Sequence, residues 1–97
     1  MQNGADRKHE PSELIAVSVM TPVGTFPSEE DYRRSTLGER ISAVLEKTAQ
    51  HFKLANTSDW VAISSERELN PAQTFLEEGL CCVVDIEWHK REGGGGA

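Results

Sequence analysis

The last apolar run of the chain is Leu80-Cys81-Cys82-Val83-Val84-Asp85-Ile86-Glu87-Trp88. It is followed by the basic pair Lys90-Arg91 and then by Gly93-Gly94-Gly95-Gly96-Ala97. Glycine has no Cβ and loses more conformational freedom on ordering than any other residue. Four in a row cannot help to build a core. The core is therefore expected to be complete by about residue 89, with a strand as its last element and a narrow tail beyond it. Such a tail suits a tunnel that admits backbone and rejects side chains, which makes the C-terminal carboxylate itself the candidate working group.

Length and charge narrow the rest. A chain of 97 residues makes one small domain with a modest core. No apolar run approaches the roughly 20 residues of a transmembrane helix. The polar start, Met1 to Pro11, has no apolar stretch of the signal-peptide kind. A net charge of −6 argues against nucleic acid and anionic membranes as partners, because both demand basic patches. These points favour a cytoplasmic protein. Adjacent cysteines rarely bridge each other, and two cannot build a disulfide framework; Cys81 and Cys82 could be read as a redox pair or a nucleophile, but no nearby base or helix N-terminus lowers their pKa in sequence, and small buried strand residues are the expectation. His9, His51 and His89 lack metal-ligand spacing. No acid–base pair, metal cluster or phosphate loop points to an enzyme, and no cofactor of its own is expected.

The expected elements run as follows. Residues 1–12 form a disordered tail, 13–89 the folded domain and 90–97 a flexible glycine-rich tail. Glu13 to Met20 is a strand, with Ile15, Val17 and Val19 alternating. Thr21-Pro22-Val23-Gly24 is a turn. Thr25 to Tyr32 is a poorer strand whose Pro27 and acidic Glu29-Glu30-Asp31 suit a sheet edge. Ser35 or Thr36 is expected to cap a helix over about Leu37–Lys53, Thr36 with Glu39 having capping-box spacing, with Ile41, Val44, Leu45, Thr48 and Phe52 on one stripe. Trp60 to Ser64 is a strand, and Arg67-Glu68-Leu69 is a short one. A turn-like segment anchored by Phe75 and Leu76 follows, ending at Gly79. Leu80 to Trp88 is the longest strand, with Cys82, Val84, Ile86 and Trp88 facing the core. The sum is an α+β layer pair: a mixed four- to five-stranded sheet with one helix across one face.

At this point the chain resembles ubiquitin and its β-grasp relatives, over roughly Glu13 to Gly96. Leu69-Asn70-Pro71-Ala72-Gln73-Thr74-Phe75 is similar to the family's leucine-to-threonine segment. Gly79-Leu80 feeds the last strand, which runs into a basic residue and terminal glycines. Trp60 opening the third main strand, with Leu69 nine residues later, is similar to bacterial ubiquitin-like modifiers encoded beside activating and conjugating enzymes. Four glycines in place of two, the extra Ala97, the shorter segment after Gly79 and the N-terminal extension depart from the family pattern.

The resemblance implies a protein modifier. An activating enzyme, using ATP, would adenylate the terminal glycine carboxylate. A partner cysteine would capture it as a thioester, and a target lysine amine would accept it as an isopeptide, so that the modifier supplies no catalytic group. Gly96 is expected to be the acceptor once a processing or deconjugating peptidase removes Ala97, with Gly95 as the small penultimate residue. An extended chain from Trp88 to Gly96 spans roughly 26 Å at about 3.3 Å per residue. Lys90 and Arg91 stand where the family uses a basic residue to select its activating enzyme; the plain alternative is a solvated strand end. With Trp60 and Ala62 towards the helix, Val61, Ile63 and Val83 would form an apolar partner-binding patch on the open sheet face. The opposite register would bury Val61 and Ile63. The chain is expected to be a monomer when free. Two other uses of the same fold stay open: a sulfur carrier whose terminus becomes a thiocarboxylate, and a non-conjugated interaction module whose glycines are a spacer.

Overall fold

A computed structural model of the protein describes residues 9–91. The elements are β1 (Leu14–Thr21), β2 (Gly24–Phe26), β3 (Arg33–Thr36), α1 (Ile41–Phe52), β4 (Trp60–Ser64), β5 (Arg67–Glu68) and β6 (Val83–Lys90). The strands form one mixed sheet in the order β2-β1-β6-β4-β5, with β3 pairing along the other half of β1. The helix packs across one face, so the class is the expected α+β β-grasp, with six strands rather than four or five.

Period-two alternation builds the sheet's inner face. Ile15, Val17 and Val19 of β1 are buried beside Val84, Ile86 and Trp88 of β6, because the two strands run parallel with Val17 opposite Val84 and Val19 opposite Ile86. Branched side chains at alternate positions suit a pleated surface covered on one side. On β4, Ala62 lies opposite Trp88. Trp60 packs edge-on against Trp88 with ring centroids 5.0 Å apart. The helix lays Ile41, Val44, Leu45 and Thr48 onto this face. The buried Thr48 hydroxyl donates to the Val44 carbonyl oxygen at 2.9 Å, which satisfies a polar group inside the core.

Four local expectations need correction. First, the helix begins at Ile41, and Thr36 does not cap it. Arg40 is the N-cap and makes no side-chain cap bond. The Glu39 carboxylate accepts instead from Ser35 Oγ and from Arg33 Nη1. The free N–H groups of the first helical turn are met from far along the chain. Ile41 donates to the Gln73 carbonyl at 3.0 Å and Ser42 to that of Pro71 at 2.9 Å. Leu37, expected as the first helical residue, sits fully buried in the turn before it.

Second, the strand expected over Thr25–Tyr32 stops at Phe26. Pro27 follows, through a cis peptide bond, and it cannot donate to a ladder. The edge expectation holds, because pairing with β1 resumes as β3, where Ser35 lies opposite Ile15 and Arg33 opposite Val17. Third, β6 starts at Val83, not Leu80. Cys82 is exposed, with a left-handed backbone (φ 74°), and does not face the core. Fourth, Phe52 is only partly buried. Its ring lies where a Cβ on Gly24 would approach it to 3.1 Å, and Gly24 adopts φ 152°, so this turn position favours glycine.

The connection from β5 to β6 closes the open end of the core. Phe75 is fully buried, and its N–H donates to the Glu39 carbonyl at 3.2 Å, while that of Leu76 donates to Leu37 at 2.9 Å. One aromatic side chain thus plugs the core at the helix N-terminus. Phe75→Ala should destabilise the domain by about 3–5 kcal/mol, measured by urea unfolding. A loss below about 1 kcal/mol would show that the segment is not a core element.

Candidate docking face and C-terminal exit

The face of the sheet turned away from the helix carries the other half of each alternation. Ser18 and Met20 come from β1, Ile63 from β4, and Val83, Asp85 and Glu87 from β6. Together with Glu66 they line a shallow concavity of about 450 Å³. Cross-strand register explains the grouping. Ser18 lies opposite Asp85, Met20 opposite Glu87, and Ile63 opposite Glu87 on the other flank. Met20 and Val83 are more than half exposed, at 53% and 57%. The concavity therefore offers apolar contacts beside three carboxylates, Glu66, Asp85 and Glu87, a surface suited to a partner with apolar and basic side chains.

Asp85 organises the middle of this face. Ser18 Oγ donates to its Oδ1 at 2.8 Å. Asp85 also acts on the exposed Tyr32, carried by the segment between β2 and β3. Side-chain hydrogen bonding to Asp85, and then the carboxylate's negative charge, push the tyrosine above its ordinary value of 10.0. Both causes favour the protonated hydroxyl, which donates to the carboxylate, over a phenolate that would repel it.

The predicted site residues divide into two groups. Ile63 and Val83 share the concavity, with Ile63 half-buried. Val61 projects to the same face, opposite His89, but only 8% of it is exposed, so it is covered rather than presented. Its burial occurs without the opposite register, because Trp60 and Ala62 are the residues packed with the helix-side core. Lys90 and Arg91 lie at the far end of β6, seven or more residues beyond Val83, or roughly 23 Å at about 3.3 Å per residue. Both are exposed. Arg91 Nη2 donates to Glu68 Oε2 of β5 at 2.8 Å, which ties the start of the tail to the sheet edge. Gly95, Gly96 and Ala97 lie outside the described residues.

Sequence reasoning missed Met20, Asp85 and Glu68. Met20 was detectable, since it falls out of phase with Ile15, Val17 and Val19. Glu68 gave no signal, because its pairing with Arg91 spans 23 positions. Among the described residues, no cluster of His, Cys, Asp or Glu could hold a metal ion, and no helix is long and apolar enough to cross a membrane.

Comparison with known proteins supports the fold through structure alone. Neither protein-family models nor curated proteins match the sequence. Among solved structures, a designed protein based on ubiquitin superposes with a TM-score of 0.63 at 21% identity, over 87% of this chain and 96% of that one. The ubiquitin of Caldiarchaeum subterraneum gives 0.63 at 16% identity, over 84% and 99%. The N-terminal ubiquitin-like domain of the 4931431F19Rik protein gives 0.60 at 18%, over 98% and 93%. The chain therefore has a ubiquitin-like fold.

Tyr32 is the only tyrosine, so ultraviolet absorbance reads its ionisation directly. It should titrate above 10.0, and Asp85→Asn should bring it back towards that value. Because the folded value is raised, the contact's contribution to stability is present below the unfolded tyrosine value and is lost as pH rises through the folded one. An unchanged titration in the variant would remove Asp85 as the cause.

Proposed function

We propose that this chain is a ubiquitin-like protein modifier. Its glycine terminus, exposed as Gly96 after a peptidase removes Ala97, is activated and joined to target amines. The observation that carries the reading is the position of β6. In a ubiquitin-like fold the last sheet strand ends at Lys90, and the sequence then reads Arg91, Glu92 and four glycines.

The chemistry belongs to the partners. On an activating enzyme the Gly96 carboxylate attacks the α-phosphorus of ATP and displaces pyrophosphate. A cysteine thiolate then attacks the acyl carbon and expels AMP, leaving a thioester. Finally a lysine amine of the target attacks that carbonyl, directly or after transfer to a conjugating enzyme, and releases the thiol. The chain's own contribution is geometric. Glycines keep the tail thin enough for a buried site, Gly95 lets the penultimate residue pass, and Arg91 and Lys90 supply positive charge where the tail leaves the domain. The Ile63, Val83 and Met20 face, with its acidic centre, supplies the docking surface for enzymes of the pathway. Its use requires no membrane or nucleic acid.

Trypsin makes this reading directly testable. It cleaves after Arg91, so a lysine conjugated to Gly96 would retain the remnant Glu-Gly-Gly-Gly-Gly. An N-terminally tagged chain expressed in its host should yield lysines on other proteins carrying that remnant, and deletion of Gly95-Gly96-Ala97 should abolish them. A terminus gaining about 16 Da, the exchange of oxygen for sulfur in a thiocarboxylate, with no remnants, would establish the sulfur carrier instead. Unaltered function after changing the glycines to serine would establish a spacer.

The docking face has its own test. Val83→Asp alters an exposed side chain and should leave stability within about 0.5 kcal/mol, while reducing remnant yield or thioester formation at least several-fold. Full yield at unchanged stability would exclude this face.

A further inference from the structure

The adjacent cysteines occupy a conformation that their sequence position does not suggest. Successive side chains in a strand point to opposite faces, so neighbouring thiols in an extended segment stay apart. Here Cys82 adopts φ 74°, in the left-handed region that non-glycine residues seldom enter. The alternation is cancelled at this point, and the two free thiols are brought into contact with each other. The segment is held on both sides. The Leu80 N–H donates to the Phe75 carbonyl at 3.0 Å, and the Cys82 carbonyl accepts from the Ala16 N–H at 2.9 Å. Cys81 packs partly against the core, while Cys82 is exposed and lines a shallow pocket with Tyr32 and Arg34.

We propose that Cys81 and Cys82 form a site of reversible oxidative modification, a vicinal dithiol that hydroperoxides convert to an intramolecular disulfide. A backbone outlier stabilised by its surroundings is the kind of strain that collects at functional positions, and this one brings two oxidisable groups into contact. The reaction balances with one peroxide. The exposed Cys82 thiolate attacks a peroxide oxygen, the O–O bond breaks, and the leaving hydroxide takes up the thiol's proton as water, giving a sulfenic acid. The Cys81 sulfur then attacks the sulfenic sulfur, the S–O bond breaks, and a second water departs. Two thiols lose two electrons and two protons, and hydrogen peroxide becomes two waters. The order of attack follows from the environment. Cys82 is the exposed thiol and meets the peroxide first, whereas Cys81 is packed partly against the core and is the resolving partner.

Adjacent Cα atoms joined by a trans peptide are about 3.8 Å apart, below the 4.4–6.8 Å usual for disulfides. Ring closure is therefore strained, and strained, exposed disulfides are the readily reduced ones. The result is a reversible switch in the backbone immediately before Val83, and not a structural staple.

The test uses the full chain, reduced and then exposed to a small excess of hydrogen peroxide. Intact-mass spectrometry should show a monomer lighter by two hydrogens that takes up no iodoacetamide. Treatment with dithiothreitol should restore two alkylatable thiols. Cys81→Ser and Cys82→Ser should each abolish the loss of two hydrogens. Two thiols still alkylatable after peroxide, disulfide-linked dimers on a non-reducing gel, or stable sulfinic acid as the main product would each overturn the proposal. None of these readouts depends on the C-terminal glycines, so the result is independent of the modifier reading.

Discussion

The first and last strands of the described chain, β1 and β6, lie side by side and parallel in the middle of the sheet, and most of the molecule is organised around that pairing. Val17 against Val84 and Val19 against Ile86 form the floor on which the helix rests. The pairing joins residues almost seventy positions apart. Its closure entropy must be met by the burial of apolar side chains, which makes a contact of this kind slow to form and hard to replace. Once it exists, β2 and β3 attach along the free edge of β1, and β4 and then β5 along the free edge of β6.

The same pairing positions both halves of the candidate site. Because β1 and β6 share one register, the residues out of phase with the core assemble on the open face without further machinery, as Ser18 does against Asp85 and Met20 against Glu87. Because β6 is central at its start and ends at the rim, one strand presents Val83 to the docking concavity and delivers Arg91 to the domain edge beside Glu68. Docking and exit are therefore fixed relative to each other by a single rigid element.

Elements with strong alternation or helical periodicity were legible. β1 and β4 lie within a residue of their expected bounds, and Ile41, Val44, Leu45 and Thr48 are the helix's buried stripe. β3 was not legible, because Arg33-Arg34-Ser35-Thr36 has the composition of a solvated turn and becomes a strand only because β1 offers an unpaired edge. The helix start was misplaced for a related reason. A capping box is a local signal, whereas the first-turn donors here are satisfied by carbonyls of Pro71 and Gln73, thirty residues away. On the open face, the outward direction of Val83 and Ile63 was legible through their phase, but the cover over Val61 was not, since phase reports direction and not depth.

The sequence by itself determined the class of the fold, the core-facing side of each long strand, and a glycine-rich end following a basic pair. These depend on period, residue shape and the absence of side chains, all of which are local properties. Only the tertiary structure decided that Asp85 gathers Ser18 and Tyr32, that Glu68 holds Arg91, and that Cys82 turns out of the strand to meet Cys81. Each of these depends on which distant backbone supplies a partner or an anchor, as the Ala16 N–H does for the Cys82 carbonyl. Contacts of that kind are set by long-range pairing, and no spacing within one segment encodes them.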